Sequence, residues 1–277
     1  MSFKDRKRSG DIKGYLIIIS VLAISIAIGS YFFINESKKV KIDQNTFCPK
    51  DEDLNFGKTV ALLDLTDPLN KAQKEFFIKE IEQLKKDIPK HHRLTIYTLD
   101  QELDLNKSRM ITMCNPGSIK DIESTYEKIS INPNEIRKMW SEGFSQQISN
   151  VVNNIISEEK PQNTSPVMEM FQLIALNEFK NYKGNLNRII ILSDMIQNTN
   201  TLSMYETNSL SFLDFKKTDF FSKVSTNLEG NVDIILFIIK RDGLRMMQKN
   251  KNFYNFWAEY FYEGNKAKDV KLKFVDG

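Results

Sequence analysis

Apolar positions along this chain fall into one unbroken run, several short runs, and stretches with three- and four-residue spacing, and each pattern predicts a different element. The unbroken run, residues 15–34, holds 20 positions without a charge and is rich in Ile, Leu, Val and Ala. That is the length needed to cross a hydrocarbon core of about 30 Å as a helix, so it predicts a single transmembrane span. A basic segment, 1–14, precedes it, and a polar stretch without periodicity, 35–57, follows as a stalk. Short apolar runs at 60–63, 94–99, 110–113, 188–192, 232–239 and 270–274 predict strands. Between them, 68–88 spaces Phe76, Phe77, Ile81, Leu84 and Ile88 as one face of a helix. Helical faces recur at 134–157, with Ile136, Trp140, Phe144, Ile148, Val151, Val152 and Ile155, and at 166–182, with Met170, Leu173, Ile174, Leu176 and Phe179. A further helix falls at 253–262. Strands alternating with helices predict one α/β domain, 58–277, whose mostly parallel sheet is covered on both faces. Its last strand alternates Val270, Leu272 and Phe274 with Lys271 and Lys273, the pattern of a half-exposed edge.

Charge orients the anchor. Lys4, Arg6, Lys7, Arg8 and Lys13 precede the span, against Lys38, Lys39 and Lys41 after it, so the positive-inside rule places the N-terminus in the cytoplasm and exports the domain. A cleaved signal peptide is the competing reading, with Ala27 and Gly29 at the small-residue site, but the run continues through Tyr31, Phe32 and Phe33, which favours an uncleaved anchor in the plasma membrane. The chain has 39 basic and 36 acidic residues; residues 1–35 hold five and two of these, leaving 34 of each beyond. The domain is formally neutral, which argues against nucleic acid as a partner. Lys38, Lys39 and Lys41 form a local patch that could touch anionic lipid. Cys48 and Cys114 are the only cysteines. In an exported domain a disulfide between them, closing a loop of about 65 residues, contributes on the order of 4 kcal/mol in the chain-entropy account; the alternative is two separate thiols. Two cysteines and the adjacent His91-His92 give no zinc-site spacing, and the histidine pair reads as a solvated turn.

Three polar stations carry the candidate chemistry: Asp64-Leu65-Thr66-Asp67-Pro68, Thr164-Ser165-Pro166 and Ser193-Asp194. The first and last directly end apolar runs, and ligands of open α/β sheets sit outside the carboxyl ends of the strands. Hard oxygen donors gathered there suit a hard cation, Mg²⁺ or Mn²⁺. Local chemistry offers another account, since Asp67 before Pro68 and Ser165 before Pro166 both look like helix N-caps followed by proline at the first helical position. Asp194 has no such cap role, and a carboxylate ending a buried strand needs a partner, either an ion or loop amides.

The stations, together with Cys114-Asn115-Pro116-Gly117 and Ser193-Asp194-Met195, resemble the von Willebrand factor A domain, and in particular its membrane-anchored bacterial relatives. The resemblance covers about 58–276 and implies a doubly wound sheet with a metal-ion-dependent adhesion site at its top. It matches Asp64 to the first aspartate of that site, Thr66 to the first hydroxyl, Ser165 to the middle threonine and Asp194 to the last aspartate. Pro68 stands where the second serine belongs and supplies no side-chain oxygen, so the site is degenerate, with Asp67 as an extra carboxylate that could compensate. Met195 stands where the family usually has glycine, which predicts a different backbone path after Asp194.

Two classes of function follow. One is a binding or scaffolding module that uses the top face to hold another envelope or membrane protein, with or without a divalent cation. The other is a metal-dependent phosphohydrolase of the haloacid-dehalogenase type, which also opens on a strand ending in aspartate but needs a second aspartate two residues later, where this chain has Thr66. No phosphate-binding glycine loop, nucleophile elbow or histidine beside a nucleophile is present, so binding is favoured over catalysis. The aromatic-rich segment 253–262 is either sandwiched in the core or partly exposed for docking, and the polar insert 195–218 leaves the site-bearing strand as a second docking candidate.

Overall fold

The computed structural model describes residues 3–51, 54–122, 127, 129, 132–158, 161–206 and 211–276; the part of the insert at 207–210 lies outside them. The chain divides into two units, Met1–Lys41 with Ile122–Ile131, and Ile42–Asp121 with Asn132–Gly277. In the first, helix α1 spans Phe3–Ser37, and its segment Gly14–Ser37 is long and apolar enough to cross a membrane, with none of that surface buried. The second unit is the α/β domain.

Six strands form one sheet: β1 (Lys58–Leu63), β2 (Arg93–Thr98), β3 (Arg109–Cys114), β4 (Asn187–Ser193), β5 (Val232–Ile239) and β6 (Asp269–Val275). They lie in the order β3-β2-β1-β4-β5-β6, with β3 antiparallel to β2 and the other neighbours parallel. β6 is an edge, as its lysine alternation predicts. Strand order reverses between β1 and β4, which sets a crevice outside their carboxyl ends. Helices α2 (Lys71–Asp87) and α4 (133–157) cover one face, and α5 (Val167–Phe179) and α9 (251–264) the other; between them lie the short α3 (Leu105–Ser108), α6 (Phe212–Phe215), α7 (Asp219–Val224) and α8 (Arg245–Gln248).

Successive strand residues feed opposite cores. Val60, Leu62, Ile189, Ile191, Ile234 and Leu236 pack with α5 and α9, while Ala61, Leu63, Ile190, Leu192 and Phe237 pack with α2 and α4. A central strand with both faces buried has no polar side to show, which is why β4 reads as an unbroken apolar run. Along the α2–α4 seam the ammonium of Lys85, itself buried, is held by Glu82 Oε1 at 2.5 Å, Ser149 Oγ at 2.5 Å and the Ser145 carbonyl at 3.1 Å. Such full pairing is what allows a charge to stay out of water.

Two helices depart from their predicted form through π turns. α4 is α-helical over Pro133–Lys138 and Gln146–Ser157 but π over Met139–Ser145. The buried stripe runs through Phe144, Ile148, Val152 and Ile156 at four-residue spacing, with Ile156 in place of Ile155. In α9, Lys251–Glu259 is α-helical and Tyr260–Gly264 is π. Phe253, Phe256, Trp257, Tyr260 and Phe261 are all buried, Tyr254 packs on Phe274 with ring centroids 5.4 Å apart, and Tyr262 is exposed. The segment is therefore core with one aromatic left at the surface.

The stretch predicted as a stalk is partly folded. From Ile42 the chain belongs to the globular unit, an isolated bridge pairs Ile42 with Pro49, and Phe47 enters the core beside α2 and α4. A Cβ on Gly143 would lie 2.6 Å from the Phe47 ring, so the glycine in the π turn makes room for it. Cys48 and Cys114 are joined as a disulfide with Cα atoms 4.7 Å apart, tying this segment to the end of β3, where the Cys114 amide also donates to the Thr46 carbonyl at 2.8 Å.

The histidine pair corrects the solvated-turn expectation. His92 is buried and its Nε2 lies 2.8 Å from Thr59 Oγ1. Burial, and then the charge of Arg188, push its imidazole down to about 4 from an ordinary value of 6.5. The fold thus holds this ring neutral while the unfolded chain takes up a proton below pH 6.5, so its contribution is present above pH 6.5 and lost as pH falls to about 4. The loss is on the order of 3 kcal/mol. Denaturant unfolding between pH 7 and pH 4 should show it, and His92→Gln should remove that part of the pH dependence. A second expectation concerns the disulfide: in denatured protein prepared without reductant, neither cysteine should react with a thiol label until reductant is added.

Candidate functional site

The site grows from Asp64, the residue after β1, whose amide continues the parallel ladder by donating to the Leu192 carbonyl at 2.9 Å. Its carboxylate is therefore fixed at the switch point, and only 3% of the residue is exposed. Donors from three chain segments meet it. Thr66 turns back on the same loop, giving its amide at 3.1 Å and its hydroxyl at 2.7 Å to Oδ1. Oδ2 accepts from Ser193 Oγ, at the end of β4, at 2.6 Å, and from Ser165 Oγ, before α5, at 3.3 Å. Ser193 Oγ in turn accepts the Met195 amide at 2.7 Å.

Asp194, the next residue, is equally buried. Its Oδ1 accepts the Ile196 amide at 3.0 Å, and its Oδ2 is 3.3 Å from Nε of Arg241. Burial pushes its carboxyl above the ordinary carboxylate value and the Asp64 charge adds to the rise, while the Ile196 amide and Arg241 act in the opposite sense and favour the ionised form. Arg241 follows β5, the neighbour of β4, and also donates Nη1 to the Pro68 carbonyl at 2.5 Å and Nη2 to the Asp67 carbonyl at 3.3 Å. Buried Gln248 fixes the arrangement: its Oε1 accepts the Arg241 amide at 3.0 Å, and its Nε2 donates to the carbonyls of Asp194 at 3.0 Å and Ile239 at 2.9 Å.

The structure brings Asp64, Thr66, Ser165 and Asp194 together at one end of the sheet and leaves the Asp67 side chain exposed at the rim. Both cap expectations are corrected. α2 starts three residues later than Pro68, capped by Asn70 in a reciprocal pair with Gln73, so Asp67 caps nothing. α5 is preceded by Pro166 with no side-chain cap of its own, and Gln197 Oε1 from the insert accepts the Met168 amide at 3.0 Å instead. Ser165 is thereby released to the carboxylate. Met195 adopts φ 62°, the left-handed conformation that glycine takes most readily, and its side chain is buried in the core.

Sequence reasoning missed Arg241 and Gln248. Arg241 had a signal, since Lys240-Arg241-Asp242 ends the apolar run of β5 at the same sheet edge. Gln248 had none, because its role depends on how α8 folds back. Tyr205, in the insert, is half exposed, and partial burial followed by the charges of Asp194 and Asp67 raises its phenol above the ordinary value. Beside Arg241 lies a cavity of about 170 Å³ lined by Pro68, Gln73 and Lys240 among others.

No family model matches the chain, and no curated protein matches it. Among solved structures it is similar to the conserved hypothetical protein BatB from Bacteroides thetaiotaomicron, at 12% identity over 80% of this chain and 91% of that one, with a TM-score of 0.35. It is also similar to an aerotolerance-related membrane protein from Bacteroides fragilis carrying multiple mutations to serines, at 10% identity over 78% and 92%, with a TM-score of 0.30. At TM-scores under 0.5 neither likeness carries an argument, and the fold stands on its own geometry.

The hydrogen-bond lengths rank the hydroxyls. Ser193→Ala removes the 2.6 Å donor from a buried carboxylate and should cost about 2 kcal/mol in urea unfolding, whereas Ser165→Ala, losing a 3.3 Å contact, should cost no more than about 1 kcal/mol.

Proposed function

We propose that this chain is a membrane-anchored binding or scaffolding module of a cell-envelope assembly, which presents the top face of its α/β domain to another envelope or membrane protein. The observation that carries the reading is the closed state of the Asp64 carboxylate: both oxygens are taken by donors from three chain segments, and the group is buried. An attacking aspartate of a phosphohydrolase needs an open oxygen and a pocket for its substrate. The cavity beside Arg241, about 170 Å³, falls short of the roughly 300–1,000 Å³ typical of small-molecule sites. A buried, hydrogen-bonded polar cluster under an exposed rim supports docking, with Tyr205 as its aromatic anchor and Asp67 as its exposed carboxylate edge.

The placement follows from the N-terminal helix and the cysteines. The five lysines and arginines ahead of the span against three lysines after it favour a cytoplasmic N-terminus, and the Cys48–Cys114 bond suits an exported, oxidising location for the domain. The top face then works outside the plasma membrane, tethered by α1.

One set of experiments tests the reading. A reporter fused after Gly277 should be active only outside the cytoplasm, and the protein should remain with membranes after carbonate extraction. Affinity purification of the full-length protein from membranes should return a partner that Tyr205→Arg loses and that Tyr262→Ala, at an exposed aromatic outside the cradle, retains. Equal recovery with both variants would move the docking surface away from the top face.

A further inference from the structure

We propose that the guanidinium of Arg241 is the resident cation of the Asp64–Asp194 cradle, so that this domain holds its top face together with an arginine and takes no divalent ion there. The inference concerns how the cradle is built and stands whether or not the face binds a partner.

The donor set decides against an ion. A hard cation of this kind takes about six oxygen ligands with lone pairs directed at it. Here each of the four carboxylate oxygens already accepts: Asp64 Oδ1 from Thr66, Asp64 Oδ2 from Ser193 and Ser165, Asp194 Oδ1 from Ile196, and Asp194 Oδ2 from Arg241. Of the backbone oxygens on the loop after β1, the Asp67 and Pro68 carbonyls accept from the same guanidinium and the Thr66 carbonyl accepts the Gln162 amide, while the Asp67 carboxylate stands exposed at the rim. Among the described residues no three His, Cys, Asp or Glu side chains are grouped to hold a metal.

Arg241 has the attributes of a built-in counterion. Three of its nitrogens make three separate contacts, to the residue after β4 and to two consecutive carbonyls of the loop after β1. A planar fork with five donors can do this, whereas a point charge such as lysine cannot reach all three. Its backbone is itself held, through the Gln248 clamp that also takes the Asp194 carbonyl. Its side chain is 17% exposed, so the pair is largely out of water, where removing one partner leaves an uncompensated charge. Pro68 is compatible with this reading, because its contribution to the guanidinium is the backbone carbonyl and requires no side-chain oxygen. Arg241 therefore ties β5 and β4 to the loop after β1, and a partner's carboxylate finds no metal on this face to coordinate.

The test uses the full-length protein in detergent with Mn²⁺ and Mg²⁺ as probes. Titration followed by Mn²⁺ electron paramagnetic resonance should show no stoichiometric site in the wild type, and thermal midpoints with chelator and with millimolar Mn²⁺ or Mg²⁺ should coincide. Arg241→Met should lower the midpoint by about 5 °C, and Asp194→Asn combined with it should melt no lower than Arg241→Met alone, because both changes break one interaction. If Arg241→Met does not fold, Arg241→Lys, which keeps the charge and loses the fork, should still melt below the wild type. One Mn²⁺ bound per chain and lost in Asp194→Asn, a metal-dependent midpoint in the wild type, wild-type melting of Arg241→Met, or additive losses in the double variant would each overturn the proposal.

Discussion

The geometry of the top face depends on one constraint: a carboxylate at the end of the central strand β1 is buried and has to be satisfied from within the chain. Asp64 cannot withdraw, because its amide is part of the ladder with β4. The Thr66 turn, Ser165 before α5 and Ser193 ending β4 are each aimed at one of its two oxygens. Leaving such an acceptor unmet costs about 1–3 kcal/mol, more for a charged group, so the three segments are bound to it more tightly than surface loops usually are to a sheet edge. Asp194 repeats the constraint one strand over and recruits Arg241 from the next strand. The switch-point crevice is closed by polar contacts rather than by side-chain packing.

Those contacts also explain which local rules the loops break. A serine before proline at a helix start ordinarily caps that helix, and here Ser165 gives up the role while Gln197, from a distant loop, supplies the missing acceptor. Met195 accepts a left-handed torsion that costs a non-glycine residue roughly 1 kcal/mol or more. Its side chain, fully buried in the core that α5 and α9 share, offsets part of that cost through the apolar area it removes from water. Local strain at the site is thus held in place by the core beneath it.

How much of this was legible in the sequence follows from what each signal depends on. The six strands were readable within a residue or two, because β1, β4 and β5 carry apolar runs that only a doubly covered sheet demands and β6 shows its lysines at alternate positions. The convergence of Asp64, Thr66, Ser165 and Asp194 was legible for the same reason, since residues that end parallel strands share an edge. The helix interiors were legible and their geometry was not: a π turn around Gly143 answers to Phe47, a residue 96 positions earlier in what the sequence presents as stalk. His92 looked like half of a polar turn because its partner, Thr59, lies on β1, 33 residues earlier. The same limit hid Arg241, whose three partners come from two other segments.

Pro68 shows how the fold and the chemistry of its top face can part company. A proline at this position leaves the sheet undisturbed, provided hydroxyls and an amide satisfy Asp64 and a cation within the chain pairs with Asp194. The guanidinium does this from β5, a strand whose position beside β4 is fixed by the sheet order, so a single residue after that strand reaches Asp194 and the loop after β1 together. The balance is covalently attached and needs no ion from solution, and its strength is set by the desolvation of the pair and by Gln248 behind it. In the docking role proposed above, the face offers its rim, the exposed Asp67 and Tyr205, over a cluster whose carboxylate oxygens each already accept a hydrogen bond. A surface of that kind recognises by shape and by the few groups left at its edge, and its rigidity lowers the entropy lost on docking.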